Sequence, residues 1–497
     1  MDSQTHKRKM DSQTHKNLHF VLFPLMSQGH MIPMMDIAKI LSKQNITVTI
    51  ITTPQNASRF TQTFSRSKIR LVELQFPSKE LNLPKGCENL DMLSSLSSSL
   101  SFFNAANSTF LQDPVEKIFE KLTPLPSCII SDMCLHYTSN IATKFNVPRI
   151  SFLGQSCFTL FCLYNLGIHR NVLKNITDEN EKFFLPGIVD KIEMTKAMIP
   201  RKGNEKDENW KDFYAKTAAA ESVSYGVVMN SFEELEMEYA KGYKRVKNGK
   251  VWCIGPVSLS NKDDLDKGDR GKKSSIDEHF CMKWLDLNES KSVIYVCLGS
   301  ICNLTTLQLI ELGLGLEACN RPFIWVIREG NLLEELENWI KGFEERVKSR
   351  SIVIRGWAPQ VLILSHPSIG AFLTHCGWNS TLEAICDGVP MITWPLFGDQ
   401  FFNERLVVKI LKIGVSVGVE GPMKWGEEEE LGLMVKKDDV VRGIEELMNE
   451  SSESDEMRRR VEELGVMAKI AIEEGGSSYF NVNLLIQDIL QQSKNSK

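Results

Sequence analysis

The feature that most constrains the fold is an alternation of strands and helices that runs through the chain twice. Leu18–Leu25 is a short apolar segment typical of a buried strand, and Met31–Lys43 follows with apolar residues at helical spacing. The same order recurs up to Met229, and again from Ser292 to Thr393. Such alternation implies parallel strands joined by crossover helices. We therefore predict an α/β fold with two facing Rossmann-like doubly wound domains.

The boundary between the domains is marked by Asn261–Ser275, a run of Lys, Asp, Gly and Ser that indicates an exposed linker. Ligands bind at the carboxyl ends of the strands in such sheets, so two facing sheets should enclose a cleft. The predicted divisions are a disordered tail at 1–17, a first Rossmann-like domain at 18–255, a linker at 256–278, a second Rossmann-like domain at 279–475, and a C-terminal helix at 476–497.

Composition narrows the class of protein. Lys and Arg number 58 against 63 Asp and Glu, a net charge of −5, which argues against a nucleic-acid partner. No apolar run reaches the roughly 18 residues that span a bilayer, so we expect no integral membrane segment. The 12 cysteines form no Cys-x-x-Cys pair, which favours reduced thiols and a cytoplasmic location. A monomer is the default expectation.

The most informative segment, WAPQVLILSHPSIGAFLTHCGWNSTLEAICDGVPMITWPLFGDQ, begins at Trp357. In it, the predicted strand Ile369–Thr374 leads through a tight turn into a helix. Free amides and partial positive charge at a helix N-terminus favour phosphate. Gly377 allows close backbone approach, and Asn379 and Ser380 add side-chain donors. This segment therefore predicts a phosphate site.

Other side chains in the segment suit the remainder of a nucleotide sugar. Trp357 offers a flat face for a base, and Glu383, one turn inside the helix, can accept hydrogen bonds from ribose hydroxyls. Asp399 and Gln400 follow another strand end and can bind sugar hydroxyls. Each element alone is also compatible with ordinary turns of an α/β fold. Together they predict a nucleotide-sugar site.

The segment Trp357–Gln400 resembles the signature box of plant secondary-product glycosyltransferases, a UDP-sugar-dependent family with the two-domain glycosyltransferase-B fold. The resemblance extends from Leu18 to about Gln491 and is strongest to the branch that glucosylates triterpenoids, steroids and flavonols. It implies an inverting UDP-glucose-dependent O-glucosyltransferase that adds β-glucose to a hydroxyl of a hydrophobic plant metabolite. A flavonoid-specific enzyme, or one using another UDP-sugar, is the alternative.

The resemblance implies that the domain at 18–255 binds the acceptor, that the domain at 279–475 binds the UDP-sugar donor, and that the helix at 476–497 packs back on the first domain. It also implies roles for individual donor-site residues. Trp357 would stack on uracil and the Ala358 backbone would pair with its edge, while Gln360 and Glu383 would hold the ribose. The diphosphate would meet His375, Asn379, Ser380 and Ser300, and the sugar would meet Trp378, Asp399 and Gln400. Gln400 and Trp378 resemble the residues of glucose users.

A candidate catalytic pair lies in the first domain. His30 follows the first predicted strand, where a dinucleotide-binding Gly-x-Gly-x-x-Gly is absent, and Asp132 ends the strand around Ser127–Ile130. A lone histidine is more often structural, and such an aspartate is often a helix cap. The resemblance assigns His30 as the general base and Asp132 as its supporting acid. An imidazole can deprotonate an acceptor hydroxyl near neutral pH.

No metal site and no cofactor are predicted, and UDP-glucose would be a co-substrate. One Asp-x-Asp triplet of the kind that binds metal in many glycosyltransferases is present, Asp264-Leu265-Asp266, but it lies in the charged linker and not at a strand end. Acceptor contacts are expected from aromatic residues of the first domain, although core packing is the alternative for each. These candidates are Phe102, Phe103, Phe158, Phe161 and Phe184.

Two other functions compete with this assignment. A nucleotide-sugar sensor without catalysis is disfavoured by the His30 and Asp132 pair. A nicotinamide-dependent oxidoreductase is opposed by the missing glycine fingerprint; Gly313-Leu-Gly315, the nearest approach, falls within a predicted helix.

Overall fold

The structure is a computed structural model that describes residues 18–60, 68–93, 95–200, 207–301, 304–328, 333–426, 428 and 432–495. The predicted disordered tail at 1–17 lies outside this part of the chain. The strands are β1 His19–Phe23, β2 Thr47–Thr52, β3 Arg70–Glu73, β4 Cys128–Asp132, β5 Arg149–Leu153, β6 Lys182–Phe184, β7 Glu193–Thr195, β8 Gly226–Met229, β9 Val251–Cys253, β10 Val293–Cys297, β11 Phe323–Ile327, β12 Ser351–Arg355, β13 Ile369–Thr374, β14 Met391–Thr393 and β15 Gly414–Ser416.

The α-helices alternate with these strands. They are α1 Gln28–Lys43, α2 Pro54–Ser58, α3 Leu96–Ala106, α4 Thr109–Phe119, α5 Thr138–Lys144, α6 Cys157–Ile168, α7 Asn171–Asn175, α8 Glu208–Ser222, α9 Met237–Val246, α10 Asp264–Gly268, α11 Glu278–Asp286, α12 Thr306–Ala318, α13 Glu334–Val347, α14 Gln360–Leu364, α15 Trp378–Cys386, α16 Gln400–Arg405, α17 Lys437–Met448, α18 Ser452–Ile472 and α19 Ser477–Asn495.

Two parallel sheets confirm the predicted fold class. The first is seven-stranded in the order β3-β2-β1-β4-β5-β8-β9, and the second is six-stranded in the order β12-β11-β10-β13-β14-β15. Central strands such as β1 and β4 are buried along their whole length, as expected when helices cover both faces of a parallel sheet. The hairpin of β6 and β7 stands apart from both sheets.

The strand register brings the loops that carry the candidate site residues next to one another. In the first sheet, Leu22 of β1 pairs with Ile130 of β4, so both strands end at the same edge. In the second sheet, Cys297 of β10 pairs with Thr374 of β13, and Thr374 pairs with Thr393 of β14. The loops after these strands therefore emerge side by side.

The last helix packs on the first sheet. Helix α19 buries Val482, Leu485 and Ile489 in the same apolar cluster as Trp252 of β9. An ion pair of 2.6 Å between Lys250 and Asp488 adds a polar contact at this interface.

Three expectations require correction or addition. Strands β9 and β15, each three residues long, were not predicted because so short a segment shows no periodicity. The linker Asn261–Ser275 is exposed only in part: residues 262–265, 273 and 275 are exposed, whereas Asn261 is buried and a helical turn, α10, forms within the segment. In the Ser-rich segment Leu93–Phe103 apolar residues recur at helical spacing, which predicts an amphipathic helix, and the structure forms helix α3 there over Leu96–Ala106.

Candidate active site

The carboxyl ends of both sheets face one cleft with a cavity volume of about 470 Å³. Loops that follow β1, β10, β12, β13 and β14 line it, and so does the segment that joins the two sheets. This is where an open parallel sheet binds ligands. The candidate catalytic residue His30 and all the candidate donor residues line this cleft; the lining set includes Ser300, Trp357, Ala358, Gln360, His375, Gly377, Trp378, Asn379, Ser380, Glu383, Asp399 and Gln400.

His30 and Asp132 form a hydrogen-bonded pair on the wall of the first sheet. His30 lies in the first turn of α1, Asp132 is the last residue of β4, and the His30 Nδ1 to Asp132 Oδ2 distance is 2.6 Å. The Asp132 side chain is fully buried, and its other oxygen accepts a bond of 2.9 Å from the Cys134 amide. Burial lowers the pKa of His30, but the charge and hydrogen bond of Asp132 outweigh burial, so this pKa lies above its ordinary value. The carboxylate fixes Nδ1 as a donor and leaves Nε2 to accept a proton.

A pocket for negative charge lies across the cleft at the start of α15. Gly377 precedes this helix and offers no side-chain cap, so the first-turn amides are open to a ligand. Two glycines crowd the His375 ring: a Cβ on Gly377 would lie 2.5 Å from its Nε2, and one on Gly299 would lie 2.7 Å away. Only glycine fits at these two positions beside the ring.

His375 is a neutral imidazole in this pocket. Burial lowers its pKa to about 4, and its Nδ1 is buried without a hydrogen-bond partner among the described residues. A buried polar atom that lacks a partner is costly unless a ligand or water satisfies it. His375 can therefore contribute a hydrogen bond to a bound anion but not a positive charge.

The candidate base residue Trp357 and the candidate ribose residues Gln360 and Glu383 line the same cleft. The Trp357 backbone is held by Ser275, whose Oγ accepts from the Trp357 amide at 2.9 Å and whose amide donates to the Trp357 carbonyl at 2.8 Å. Gln360 Nε2 donates to Glu383 Oε2 at 2.7 Å and to Ser380 Oγ at 3.0 Å. Gln360 thus fixes one oxygen of the Glu383 carboxylate, and Glu383 lines the cleft together with Trp357.

The candidate sugar residues are held at the junction of the two sheets. The Trp378 indole donates to the Asn230 carbonyl at 2.7 Å, and Asn379 Nδ2 donates to the Gly29 carbonyl at 2.6 Å. Burial raises the pKa of Asp399, and a hydrogen bond from Asn403 partly offsets this shift. Gln400 Oε1 accepts two loop amides, which leaves its amide nitrogen for a ligand.

The candidate acceptor residues fall outside the lining of this cleft. Phe102 and Phe158 are wholly buried in the core, where Phe102 packs on Phe76 and Phe158 on Tyr239, so their assignment to a pocket wall is wrong. Phe103 packs against Phe213, Phe161 packs beside Gly242 of α9, and Phe184 is 60% exposed on the β6–β7 hairpin. An apolar side chain at helical spacing serves the core as readily as a pocket.

Sequence reasoning missed several cleft residues. Gln28 is 1% exposed, and neither of its side-chain polar atoms has a hydrogen-bond partner in the described part of the chain. Its position beside His30 was the available signal. Arg270 gave no local signal, yet it lies buried between the two sheets, in contact with Asp36 and Glu383. The charged run was interpreted as solvated, and that interpretation concealed Arg270.

The described residues contain no cluster of three or more His, Cys, Asp or Glu side chains suited to a metal ion. Asp264 of the Asp-x-Asp triplet is 82% exposed and lies beside Lys267 on α10. In the same part of the chain no helix combines the length and apolarity needed to cross a bilayer.

Comparisons with known proteins agree with this geometry. Residues 273–421 match the family model described as UDP-glucoronosyl and UDP-glucosyl transferase. UDP-glycosyltransferase 73C3 of Arabidopsis thaliana is 53% identical over 486 residues, which cover 96% of this chain and 97% of that protein.

Two solved structures share the fold over almost the whole chain. Glycyrrhiza uralensis UGT73P12, complexed with glycyrrhetinic acid 3-O-monoglucuronide, superposes with a TM-score of 0.88 at 34% identity, covering 96% of this chain and 97% of that one. Arabidopsis thaliana UGT89C1, complexed with UDP-L-rhamnose, gives 0.73 at 30% identity, covering 95% and 99%.

Proposed function

Because the chain belongs to the plant secondary-product UDP-glycosyltransferases, we propose that it is an inverting UDP-glucose-dependent O-glucosyltransferase. It adds β-glucose to a hydroxyl of a hydrophobic plant metabolite, namely a triterpenoid or sapogenin, a steroid or a flavonoid. The observation that carries the proposal is the bonded His30 and Asp132 pair facing a cleft whose opposite wall carries an uncapped helix N-terminus.

The proposed reaction is a single displacement. His30 Nε2 accepts the proton of the acceptor hydroxyl while that oxygen attacks the anomeric carbon, and Asp132 stabilises the resulting imidazolium. The bond from this carbon to the diphosphate oxygen breaks, and UDP leaves from the opposite face. The α15 amides and His375 stabilise its growing negative charge by hydrogen bonds. Because the acceptor oxygen attacks from the face opposite the leaving UDP, an α-linked donor gives a β-glucoside.

The proposed donor roles are those that the family resemblance implies. Trp357 and the Ala358 backbone bind uracil, Gln360 and Glu383 bind the ribose, and Ser300, Asn379 and Ser380 bind the diphosphate. The sugar contacts are Trp378, Asp399 and Gln400. Gln400, the last residue of the box, resembles the residue of glucose users and therefore favours glucose as the transferred sugar. The acceptor enters from the domain at 18–255, and the donor binds the domain at 279–475.

The proposed acceptor class draws on a structural relative. The Glycyrrhiza relative is complexed with glycyrrhetinic acid 3-O-monoglucuronide, which favours a triterpenoid among the candidates. We propose that the protein acts in the cytoplasm as a monomer, without a metal ion.

The test is turnover by the purified protein with UDP-glucose against triterpenoids, steroids and flavonoids, with product mass and anomeric coupling as readouts. We expect a product heavier by one hexose with a β linkage. UDP-galactose and UDP-glucuronate serve as competing donors, and His30→Ala serves as the matched inactive control. Binding of UDP-glucose without product on any acceptor would favour a sensor instead.

A further inference from the structure

Arg270 occupies an unusual place for a residue of an interdomain segment. Its side chain is 8% exposed and lies between a carboxylate of each half of the molecule. Its Nη2 donates to Asp36 Oδ2 on α1 at 2.8 Å, and its Nη1 donates to Glu383 Oε1 on α15 at 2.7 Å. One guanidinium therefore joins the two helices whose first turns face the cleft.

Both carboxylates depend on this cation. The side chains of Asp36 and Glu383 are 2% and 7% exposed, so bulk water screens neither charge. Asp36 Oδ1 accepts from Asn261 at 2.8 Å, and Asn261 Oδ1 accepts from Lys39 at 2.6 Å. Glu383 Oε2 accepts from Gln360 at 2.7 Å. Among the described residues, Arg270 is thus the cation that donates hydrogen bonds to both carboxylates.

The bonds to Glu383 leave room for a ligand. An ionised carboxylate offers about four lone-pair sites, and Arg270 and Gln360 use one on each oxygen. The remaining sites are available for a pair of adjacent hydroxyls. Since Arg270 and Glu383 both line the cleft, the arginine acts on the ribose site through the carboxylate that it holds.

We propose that Arg270 is a positioning residue for the donor nucleotide: it holds the Glu383 carboxylate oriented for the ribose hydroxyls while it ties α15 to α1 through Asp36. This inference rests on the proposed function, because Glu383 is assigned there to the ribose. It adds a residue from the interdomain segment to a donor site otherwise built from the second sheet.

The planar fork of arginine is what this position requires. It reaches two carboxylates in different directions at once, whereas a lysine ammonium is a single point charge. Replacement by methionine leaves two buried carboxylates without their cation, which is strongly unfavourable. Glu383 would then lose the contact that orients it and turn away, which weakens its bonds to the ribose.

The experiment is calorimetric titration of UDP into the full-length protein and into Arg270→Met and Arg270→Lys. The loss of one charge-assisted contact predicts UDP binding weaker by about ten- to a hundredfold in Arg270→Met, and Arg270→Lys should fall between it and the wild type. With UDP-glucose, the donor KM should rise in parallel, while the acceptor KM stays within about threefold.

The matched control is Arg350→Met. Arg350 precedes β12 at the opposite end of the second sheet and donates to the carbonyls of Glu317 and Arg321 at 2.8 and 2.9 Å. This variant should lose thermal stability without a change in UDP affinity. A melting temperature lowered equally in both methionine variants, with unchanged UDP affinity in both, would reduce Arg270 to a structural role and overturn the proposal.

The two proposals fail in different ways. Wild-type protein that does not bind UDP would refute the donor site itself, and with it the proposed function. Equal UDP affinity in the wild-type protein and in Arg270→Lys would refute only the role of Arg270. Tighter UDP binding by Arg270→Lys would likewise overturn it, because the arginine would then compete with the ribose for Glu383.

Discussion

The substitution Asp132→Asn tests the proposed base most directly, because it keeps the shape of the side chain and removes its charge. The Cys134 amide, at 2.9 Å, holds one side-chain oxygen of Asp132 in place. In the variant this amide would retain the carbonyl oxygen and direct the new NH₂ group at His30 Nδ1. That ring nitrogen must then accept, so the proton moves to Nε2, where it blocks removal of the acceptor proton.

The size of the effect follows from the bond that is lost. A hydrogen bond to a charged group is worth about 1.5–3 kcal/mol, and each 1.36 kcal/mol corresponds to about tenfold in rate. Because the 2.6 Å bond joins His30 to a fully buried carboxylate, we expect kcat to fall by about ten- to 150-fold. UDP affinity should not change, because Asp132 lies on the wall opposite the donor site.

The pH dependence supplies a second readout. Activity should rise with pH as His30 loses its proton, with an acid limb set by a pKa that Asp132 holds above its ordinary value. In Asp132→Asn this pKa falls, so the limb should move to lower pH while the plateau drops. Initial rates from about pH 5 to 9 at saturating substrates measure both effects.

The control is a second buried histidine with a hydrogen-bonding partner. His19 Nε2 lies 2.8 Å from Thr49 Oγ1 within the first sheet, and Thr49→Val should lower stability without moving the acid limb. If Asp132→Asn kept kcat within about threefold and left the limb in place, the assignment of His30 as the base would be wrong.

Three further outcomes follow from the site and the core. Trp357→Ala should weaken UDP binding by about five- to 150-fold in calorimetry, because stacking of a base on an aromatic ring is worth about 1–3 kcal/mol; unchanged affinity would exclude the indole as the uracil platform. Excess EDTA should leave the initial rate unchanged, and a rate that returned only with added Mg²⁺ would refute metal independence. Phe102→Ala should cost about 3–5 kcal/mol of unfolding free energy in urea with an unaltered acceptor KM, whereas the exposed Phe184→Ala should cost little.

The parts of the site that sequence predicts well are local ones. The box from Trp357 to Gln400 contains a strand, a turn and a helix in succession, so its spacing alone fixes where the helix N-terminus lies. His30 and Asp132 are 102 positions apart, but each follows a recognisable strand. The carboxyl ends of parallel strands share one edge, and that rule brings distant residues together.

Apolar residues were harder to place because the same side chain serves a core or a pocket equally well. Phe102 and Phe103 are adjacent in α3, yet one is wholly buried against Phe76 and the other packs against Phe213 of α8. The difference depends on which helices cover each face of the first sheet. Periodicity specifies the buried face of a helix but not the elements that cover it.

Arg270 shows a second reason why local sequence is insufficient. Its partners lie 234 positions before it and 113 positions after it, so nothing near the charged segment distinguishes it from the exposed lysines around it. The two helices that it joins are those with the proposed base and the phosphate-binding amides in their first turns. Asn379 makes a second tie between them through the Gly29 carbonyl. The distance between base and donor is therefore governed by contacts between α1, α15 and the interdomain segment, and a substitution that loosens them should weaken donor binding even where every residue of the box is intact.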